Sequence, residues 1–347
     1  MADAAPLVVG VVFPVKKLER LQSLLDQETD GVRFVLIDLE AAAPTGSAVS
    51  ACDIEAAAQR LAARYNPLHA VLHKLAHDMV FARLGDEDAA TRVQLMQEMA
   101  RQNPSVRLVD PLDSVRLLTS RSAACERLQT MEQVKEPTQS FKVPHFRVVQ
   151  NLEHFQELVA ELDAGRTKLP LICKSVEACA TERSHMMSVV TKREDLVYVE
   201  YPVLYQEFVN HSGRLYKGYV LGDTINVAER RSLPNLVAGN AQQVHFNTQE
   251  AYPTSEDFHS RSDDDAEQET AVGGKWTQET IFAAVRTIGE RLRDELKLTL
   301  FGFDVIVADD GPRDLYVIDV NYFPSYKEVD DLSIVLRKHL KQVCGRQ

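Results

Sequence analysis

Three oxygen-bearing side chains stand in apolar surroundings late in the 347-residue chain. Asp304 sits in "FGFDVIV", and Asp319 and Asn321 sit in "LYVIDVNYF". Residues two apart on a strand point to one side, so Asp319 and Asn321 share a face. Asp304, on a neighbouring strand, can join them. A carboxylate buried among apolar residues needs a partner. Two carboxylates and an amide oxygen are hard ligands of the kind Mg²⁺ accepts, with waters and phosphates completing its shell. The alternative, from these residues alone, is a pair of surface strands carrying ordinary charges.

The elements that must position such a site follow from periodicity. "LVVGVVF" (7–13), "VRFVLIDL" (32–39) and "HAVLHKL" (69–75) read as short buried strands, and "VRLVDP" closes the series. Between them "KKLERLQSLLDQ", "IEAAAQRLAARY" and "DEDAATRVQLMQEMARQN" carry helical spacing, the last with Asp86 or Asp88 as its cap. Strand–helix alternation over about 110 residues predicts a parallel, doubly wound α/β domain. The pattern then changes. "DSVRLLTSRSAACERLQTMEQV" reads as one helix, "VPHFRVVQ" and "LPLICKSV" as strands, and "RLYKGYVLGDTINVAERRSL" as a hairpin turning at Gly222-Asp223. This antiparallel character predicts α+β units. The acidic run 255–275 reads as a mobile surface loop.

Composition narrows the function classes. A net charge of −12 argues against a broad nucleic-acid face, yet leaves room for a local basic pocket. No apolar run approaches the roughly 18 residues of a membrane helix, and "MADAAPLVVGVVFPVKK" does not read as a signal peptide. Cys52, Cys125, Cys173, Cys179 and Cys344 are scattered singly and form no metal-ligand pattern. Reduced thiols in a cytoplasmic, or also nuclear, protein are expected.

Read together, "FGFDVIV…LYVIDVNYFPSY" resembles the metal-binding signature of ATP-grasp enzymes, and specifically of the inositol 1,3,4-trisphosphate 5/6-kinases, also called inositol-tetrakisphosphate 1-kinases. The resemblance runs in order through "GVVFPVKKLERL", "LHKL", "VDPLDSVRLLTSR", "VPHF", "LICKS", "QEFVNHSGRLYKGYVLGD", "ERRSLPN" and "HFNT". It implies an ATP-grasp fold: an N-terminal α/β domain (1–112), a central domain (113–208) and a C-terminal domain (209–347), the last two α+β and clasping ATP. It implies Mg²⁺ as cofactor, held by Asp304, Asp319 and Asn321, and ATP as co-substrate. Lys174 matches the phosphate lysine, and Gln206, Glu207, Phe208 and Val209 the hinge that receives adenine. Ser232 and Arg116 match positions near the nucleotide. Lys17, Lys74, His185, Lys217 and Arg230 match residues that bind inositol phosphate groups, with Asn321 and Ser325 beside them. Lys217 and Asp319 are the expected catalytic pair. The implied reaction phosphorylates a ring hydroxyl of an inositol tris- or tetrakisphosphate, such as inositol 1,3,4-trisphosphate at the 5 or 6 position or inositol 3,4,5,6-tetrakisphosphate at the 1 position. A monomer acting on small molecules, without nucleic acid or membrane partners, is expected.

Two segments depart from the family pattern. Where it has roughly "CKT-x-x-AHGT-x-SH", this chain has "CKSVEACATERSH", with Cys179 and Ala180 in place of His-Gly. Ser325 replaces the glycine of "FPG". Two other readings therefore stand beside the kinase: a carboxylate–amine ligase working through an acyl phosphate, and a non-catalytic protein that binds nucleotide or inositol phosphate.

Overall fold

Leu7–Val12 is buried at all six positions, as a strand covered on both faces must be. In the computed structural model, which describes residues 5–45, 49–134, 140–258, 277–309 and 314–346, this strand (β1) lies inside a parallel sheet. Its companions are β2 (Val32–Leu36), β3 (Ala70–His73) and β4 (Arg107–Val109), in the order β2-β1-β3-β4. The helices between them start where the sequence signals a start. Ser50 and Asp53 form a capping box on the helix Ala51–Arg64. Asp86 caps the helix Glu87–Gln102 by accepting the Ala89 N–H at 2.8 Å.

Nine strands follow: β5 (Phe146–Val149), β6 (Leu171–Ser175), β7 (Met186–Val190), β8 (Val203–Glu207), β9 (Arg214–Leu221), β10 (Thr224–Arg231), β11 (Val244–Asn247), β12 (Leu300–Val307) and β13 (Leu315–Tyr322). They make two antiparallel sheets, β11-β7-β6-β8-β5 and β10-β9-β12-β13. The β9–β10 hairpin turns at Gly222-Asp223, with Gly222 at φ 59. β11 comes from beyond residue 208, yet it completes the central sheet by pairing with β7. Among the described residues no helix is long and apolar enough to cross a membrane, and all five cysteines are free thiols.

Three sequence expectations change. The run 113–134 is two helices, Leu112–Leu117 and Arg121–Gln133, because Ser120 turns its hydroxyl to the Ala123 N–H and caps a new start. A helix at Ala76–Arg83, absent from the sequence reading, follows β3. The loop expected over 255–275 lies outside the described residues from 259 onward. Its first four residues are a helical turn, Ser255–Phe258, and Phe258 is fully buried against a cluster containing Val189, Leu233 and Phe246.

The third sheet is fastened to its neighbours on both sides. Behind it, Phe303 of β12 lies over Gly218 of β9 and Gly289 of the helix Gln278–Leu296. Toward the first sheet, Asp110 accepts from the Leu300 N–H at 2.9 Å and from Thr299 Oγ1 at 2.5 Å. The Tyr322 hydroxyl takes the Asp110 N–H at 3.0 Å and lies 3.2 Å from the carbonyls of His73 and Val109. β13 therefore ends inside the N-terminal unit.

A methyl group at Gly218 would stand 2.2 Å from the Phe303 ring. Gly218→Ala is expected to cost about 1–3 kcal/mol, the usual penalty for overpacking, read as a lower urea midpoint. An unchanged midpoint would show that the ring has room to give way.

Candidate active site

Strand register builds the centre of the site. Asp304 of β12 is the cross-strand partner of both Lys217 of β9 and Asp319 of β13, and the three form one row on one face of the sheet. Asn321, two residues beyond Asp319, shares that face, as does Arg230, two along from Ala228, the partner of Lys217. Between Asp304 and Val305 the register shifts: Asp304 faces Asp319 but Val305 faces Val317. Ile318 is the extra residue, and its carbonyl is turned toward the Lys174 ammonium at 3.4 Å. Bulges beside functional sites commonly re-aim a group in this way.

The two carboxylates are held differently. Asp304 Oδ1 accepts from Lys217 Nζ at 2.6 Å, with both side chains about one-seventh exposed (14% and 15%). Asp319 Oδ2 accepts from Asn321 Nδ2 at 2.8 Å. Burial works to raise the pKa of Asp319. The charges of Arg121, Lys174 and Lys217, with the Asn321 hydrogen bond, outweigh it and hold the carboxyl below its ordinary value. Tyr252, absent from the sequence reading, adjoins the pair; burial, Asp304 and Asp319 push its hydroxyl up to about 12.

Lys174 enters from the central sheet. It is 6% exposed and donates to Gln206 Oε1 at 2.8 Å. Burial lowers its pKa, while Asp319 and Asp304 work against that. Gln206 Nε2 is buried without a hydrogen-bond partner beside it, a donor suited to a nucleotide acceptor. Further along the hinge, the Phe208 N–H goes to the Pro170 carbonyl at 2.9 Å and the Glu207 N–H to the His145 carbonyl at 2.8 Å. The Val209 carbonyl accepts from His211 Nδ1 at 2.7 Å, and Ser232 Oγ lies 2.8 Å from His211 Nε2. A carbonyl only accepts, so His211 is protonated at Nδ1 and the serine hydroxyl donates to Nε2. Burial lowers the pKa of His211 and agrees with this neutral form. His211 thus links Ser232 to the hinge, a tie that the sequence did not show.

The remaining cations fall into separate places. Lys17 Nζ donates to the carbonyls of Phe323 (3.3 Å) and Pro324 (2.7 Å) and lies 3.8 Å from the Phe323 ring centre. Lys74 Nζ donates to the Phe323 carbonyl at 3.1 Å. These two ammonium groups meet on the loop that follows Asn321. Arg230 donates to Tyr219 Oη at 2.8 Å and pairs with Glu328. His185 is half-buried at the start of β7, its pKa lowered by burial and by Arg121 and Lys16. Arg116 is exposed on the helix Leu112–Leu117 and enters none of these contacts. Ser325 stands between Phe323 and Tyr326, whose φ values are 44 and 52.

Arg121 is the principal residue that sequence reasoning missed. It is 7% exposed at the first turn of the helix Arg121–Gln133. That turn carries no acidic residue, and a cation there opposes the helix dipole. This mismatch was the available signal. A cavity of about 330 Å³ opens on the central sheet, lined by Cys173, Lys174, Ser188 and Tyr205 among others.

The residues fit a divalent cation. Among the described residues no cluster of three or more His, Cys, Asp or Glu side chains could hold a metal by itself. Asp304, Asp319 and Asn321 instead give a partial oxygen set of the kind Mg²⁺ completes with phosphate and water.

The chain is similar to known proteins along most of its length. The family described as the inositol 1,3,4-trisphosphate 5/6-kinase ATP-grasp domain matches residues 135–342. An inositol-tetrakisphosphate 1-kinase 1 of Zea mays is 33% identical over 79% of this chain and 75% of its own. An inositol-tetrakisphosphate 1-kinase of Xenopus laevis is 28% identical over 81% and 68%. Among solved structures, the ADP complex of an N5-carboxyaminoimidazole ribonucleotide synthetase has a TM-score of 0.59 at 15% identity, covering 99% of this chain and 78% of that one. D-alanyl-alanine synthetase A from Vibrio cholerae has 0.55 at 10% identity, covering 99% of both. These likenesses show an ATP-grasp fold.

Lys217→Met would leave Asp304 unpaired beside Asp319. Stranding a buried charged group costs about 1–3 kcal/mol, so the melting temperature in EDTA is expected to fall. Millimolar Mg²⁺ should recover more of the loss in the variant than it adds to the wild type. Equal shifts from Mg²⁺ in both proteins would count against a cation between the carboxylates.

Proposed function

The chain belongs to the inositol 1,3,4-trisphosphate 5/6-kinase family, and from that premise we propose that it is an Mg²⁺-dependent kinase acting on a ring hydroxyl of an inositol tris- or tetrakisphosphate. The observation that carries the reading is the row Lys217–Asp304–Asp319, with Asn321 on the same face and Lys174 reaching across from the central sheet. In-line transfer needs positioned charge around the γ-phosphoryl group and little covalent help from the protein. Asp304, Asp319 and Asn321 would hold Mg²⁺, which supplies positive charge against the phosphate oxygens. Lys174 orients the nucleotide phosphates, and the hinge 206–209 with Ser232 holds the base end. The substrate oxygen bonds to the γ-phosphorus as the bond to the β-phosphate bridging oxygen breaks. ADP leaves, and the hydroxyl proton passes to water.

Lys17 and Lys74 favour a polyanionic acceptor. An ammonium has three donors. Lys17 spends two on main-chain carbonyls and Lys74 one, which leaves N–H groups for phosphate. Neighbours that are solved synthetases share the fold at low identity, and fold alone does not set chemistry. Five free thiols support a reducing compartment, cytoplasmic or nuclear, and we expect a monomer.

ADP release tests the reading directly. The wild type with Mg²⁺–ATP should turn over inositol tris- or tetrakisphosphates and not amino acids; ADP formed with amino acids alone would replace it with the ligase reading. Asp319→Asn is expected to cut turnover by on the order of a hundredfold or more, as loss of a charged metal ligand should, with an unchanged circular dichroism spectrum. A variant that turned over normally at saturating Mg²⁺ would remove Asp319 from the metal set.

Proton linkage gives an independent check. Burial, with Lys74 and Arg20 nearby, lowers the Lys17 pKa from 10.5 to about 6. Burial thus favours the neutral amine in the free protein, and a bound polyanion would raise the pKa, draw in a proton and give the ammonium its third N–H. Affinity should therefore fall as pH rises above 6. Calorimetry in buffers of different ionisation enthalpy should show proton uptake that is lost in Lys17→Met. No buffer dependence in the wild type would place the phosphates elsewhere.

A further inference from the structure

We propose that His77 is a further acceptor-binding residue of this chain: its imidazole, offered by the helix Ala76–Arg83 beside Lys74, takes a phosphate group of the inositol phosphate where the segment 175–185 presents only the thiol of Cys179. The inference rests on the kinase reading above and deepens its acceptor site. The Cys179 thiol lies 3.8 Å from the Ala76 carbonyl, so that segment rests on the first turn of the helix. His77 is the next residue along the turn. Lys74, two residues before Ala76, donates to the Phe323 carbonyl at 3.1 Å, on the loop that follows Asn321. The charges of Lys74 and His185 both act on His77, and Lys74 in turn lies in the field of Cys179 and Arg20. Groups from the first sheet, from the segment 175–185 and from the loop after Asn321 therefore meet around this one ring.

The ring has no structural duty to perform. The fully buried histidines among the described residues, His73, His211 and His339, are each held by hydrogen bonds. His77 is half-buried, and among the described residues neither of its ring nitrogens has a hydrogen-bond partner or is sealed from water. The adjacent carboxylate, Asp78, is turned to Arg92 at 2.7 Å. Burial and the charges of Lys74 and His185 outweigh Asp78 and lower the His77 pKa from 6.5 to about 4. The free protein thus keeps a neutral ring among cations. A neutral imidazole still donates one N–H, and protonation adds a second. An anion is the ligand that suits all of these groups at once. The family pattern carries a histidine where this chain has Cys179, a weak donor whose pKa burial pushes up to about 11. The imidazole has in effect moved across the Cys179–Ala76 contact, from the segment to the helix it touches.

His77→Phe keeps a ring of similar shape and removes the nitrogens; His77→Ala also empties the space. In both, the KM for inositol phosphate is expected to rise by on the order of tenfold, and that for ATP by less than about threefold, as loss of one hydrogen bond to a charged group allows. Adding Cys179→His to His77→Ala should return the acceptor KM to within about threefold of the wild type, because neighbouring sites in one network compensate and do not add. A packing role for His77 would not be rescued in this way. On the wild type itself, the ¹⁵N imidazole resonance that is missing from His77→Phe should shift when inositol 1,3,4-trisphosphate is added and stay in place with ATP alone. An unchanged acceptor KM in both single variants, equal rises in the two KM values, no rescue by Cys179→His, or a resonance unmoved by the trisphosphate would each overturn the proposal. A wild type that phosphorylates no inositol phosphate would remove the kinase reading itself; an active wild type whose His77→Phe variant keeps its acceptor KM would remove His77 alone.

Discussion

Two carboxylates that face each other across adjacent strands in a half-buried site repel each other unless positive charge lies close by. Asp304 and Asp319 are such a pair, and much of the surrounding structure answers that requirement. Lys217 lies in the same row, Lys174 comes from the central sheet, and the charge of Arg121 comes from a helix between them. Each cation belongs to a different element, so charge balance needs all the elements to be in place. The bulge at Ile318 belongs to the same solution, since the carbonyl it turns out gives the Lys174 ammonium a second acceptor. Buried cations without anions, or the reverse, would be costly. Assembled together, they make a site whose remaining need is a divalent cation and phosphate.

The same strand that carries Asp319 and Asn321 also joins the N-terminal unit to the rest. Tyr322 and Phe323 follow directly, and their contacts run to His73, Asp110, Lys17 and Lys74. Movement of the first sheet would therefore be felt at Asn321 one or two residues away. The Asp110 carboxyl, its pKa raised by burial, holds this junction by accepting from Thr299 and the Leu300 N–H. The positions of Lys17 and Lys74 and of the strand that carries Asp319 are thus one variable. Arg337 adds a further tie, donating to the carbonyls of Leu24 and Gln27 at 2.7 Å.

How much was legible in the sequence follows from the range of each interaction. The first sheet is built of short βαβ repeats, so "LVVGVV", "HAVLH" and their helices announce themselves locally. The Asp319–Asn321 face follows from the period of a strand, and the observed register places Asp304 directly opposite. Arg121, His211 and Tyr252 escaped because their partners lie far along the chain: Arg121 reaches Ser184, and His211 reaches Ser232. The engagement of Lys17 with residues 323 and 324 spans 306 and 307 positions, and no local pattern reports such a contact. Ser120 shows the opposite failure. Its capping of the helix Arg121–Gln133 is local, but a helical period running through it hid the break.

The two departures from the family pattern share a physical answer. A glycine in a loop gives the backbone freedom to approach a ligand and to take positive φ. This chain has Ala180 where one such glycine would stand, yet the backbone there still takes φ 77. It has Ser325 where another would stand, and residues on both sides, Phe323 and Tyr326, take the left-handed conformation instead. In each place a cation from a distant element grips main-chain carbonyls: Arg121 on 175, 177 and 184, and Lys17 with Lys74 on 323 and 324. Hydrogen bonds to a charged donor contribute about 1.5–3 kcal/mol each, enough to offset a strained residue. Loop shape is therefore imposed by tertiary contacts where glycine would have permitted it locally. The consequence differs between the two places. Arg121 spends Nη1 and Nη2 on the segment and keeps a buried, unpartnered Nε beside Lys174 and Asp319, whereas the lysines keep N–H groups that a phosphate can share. The loop after Asn321 is thus the one whose anchoring cations a bound anion could share.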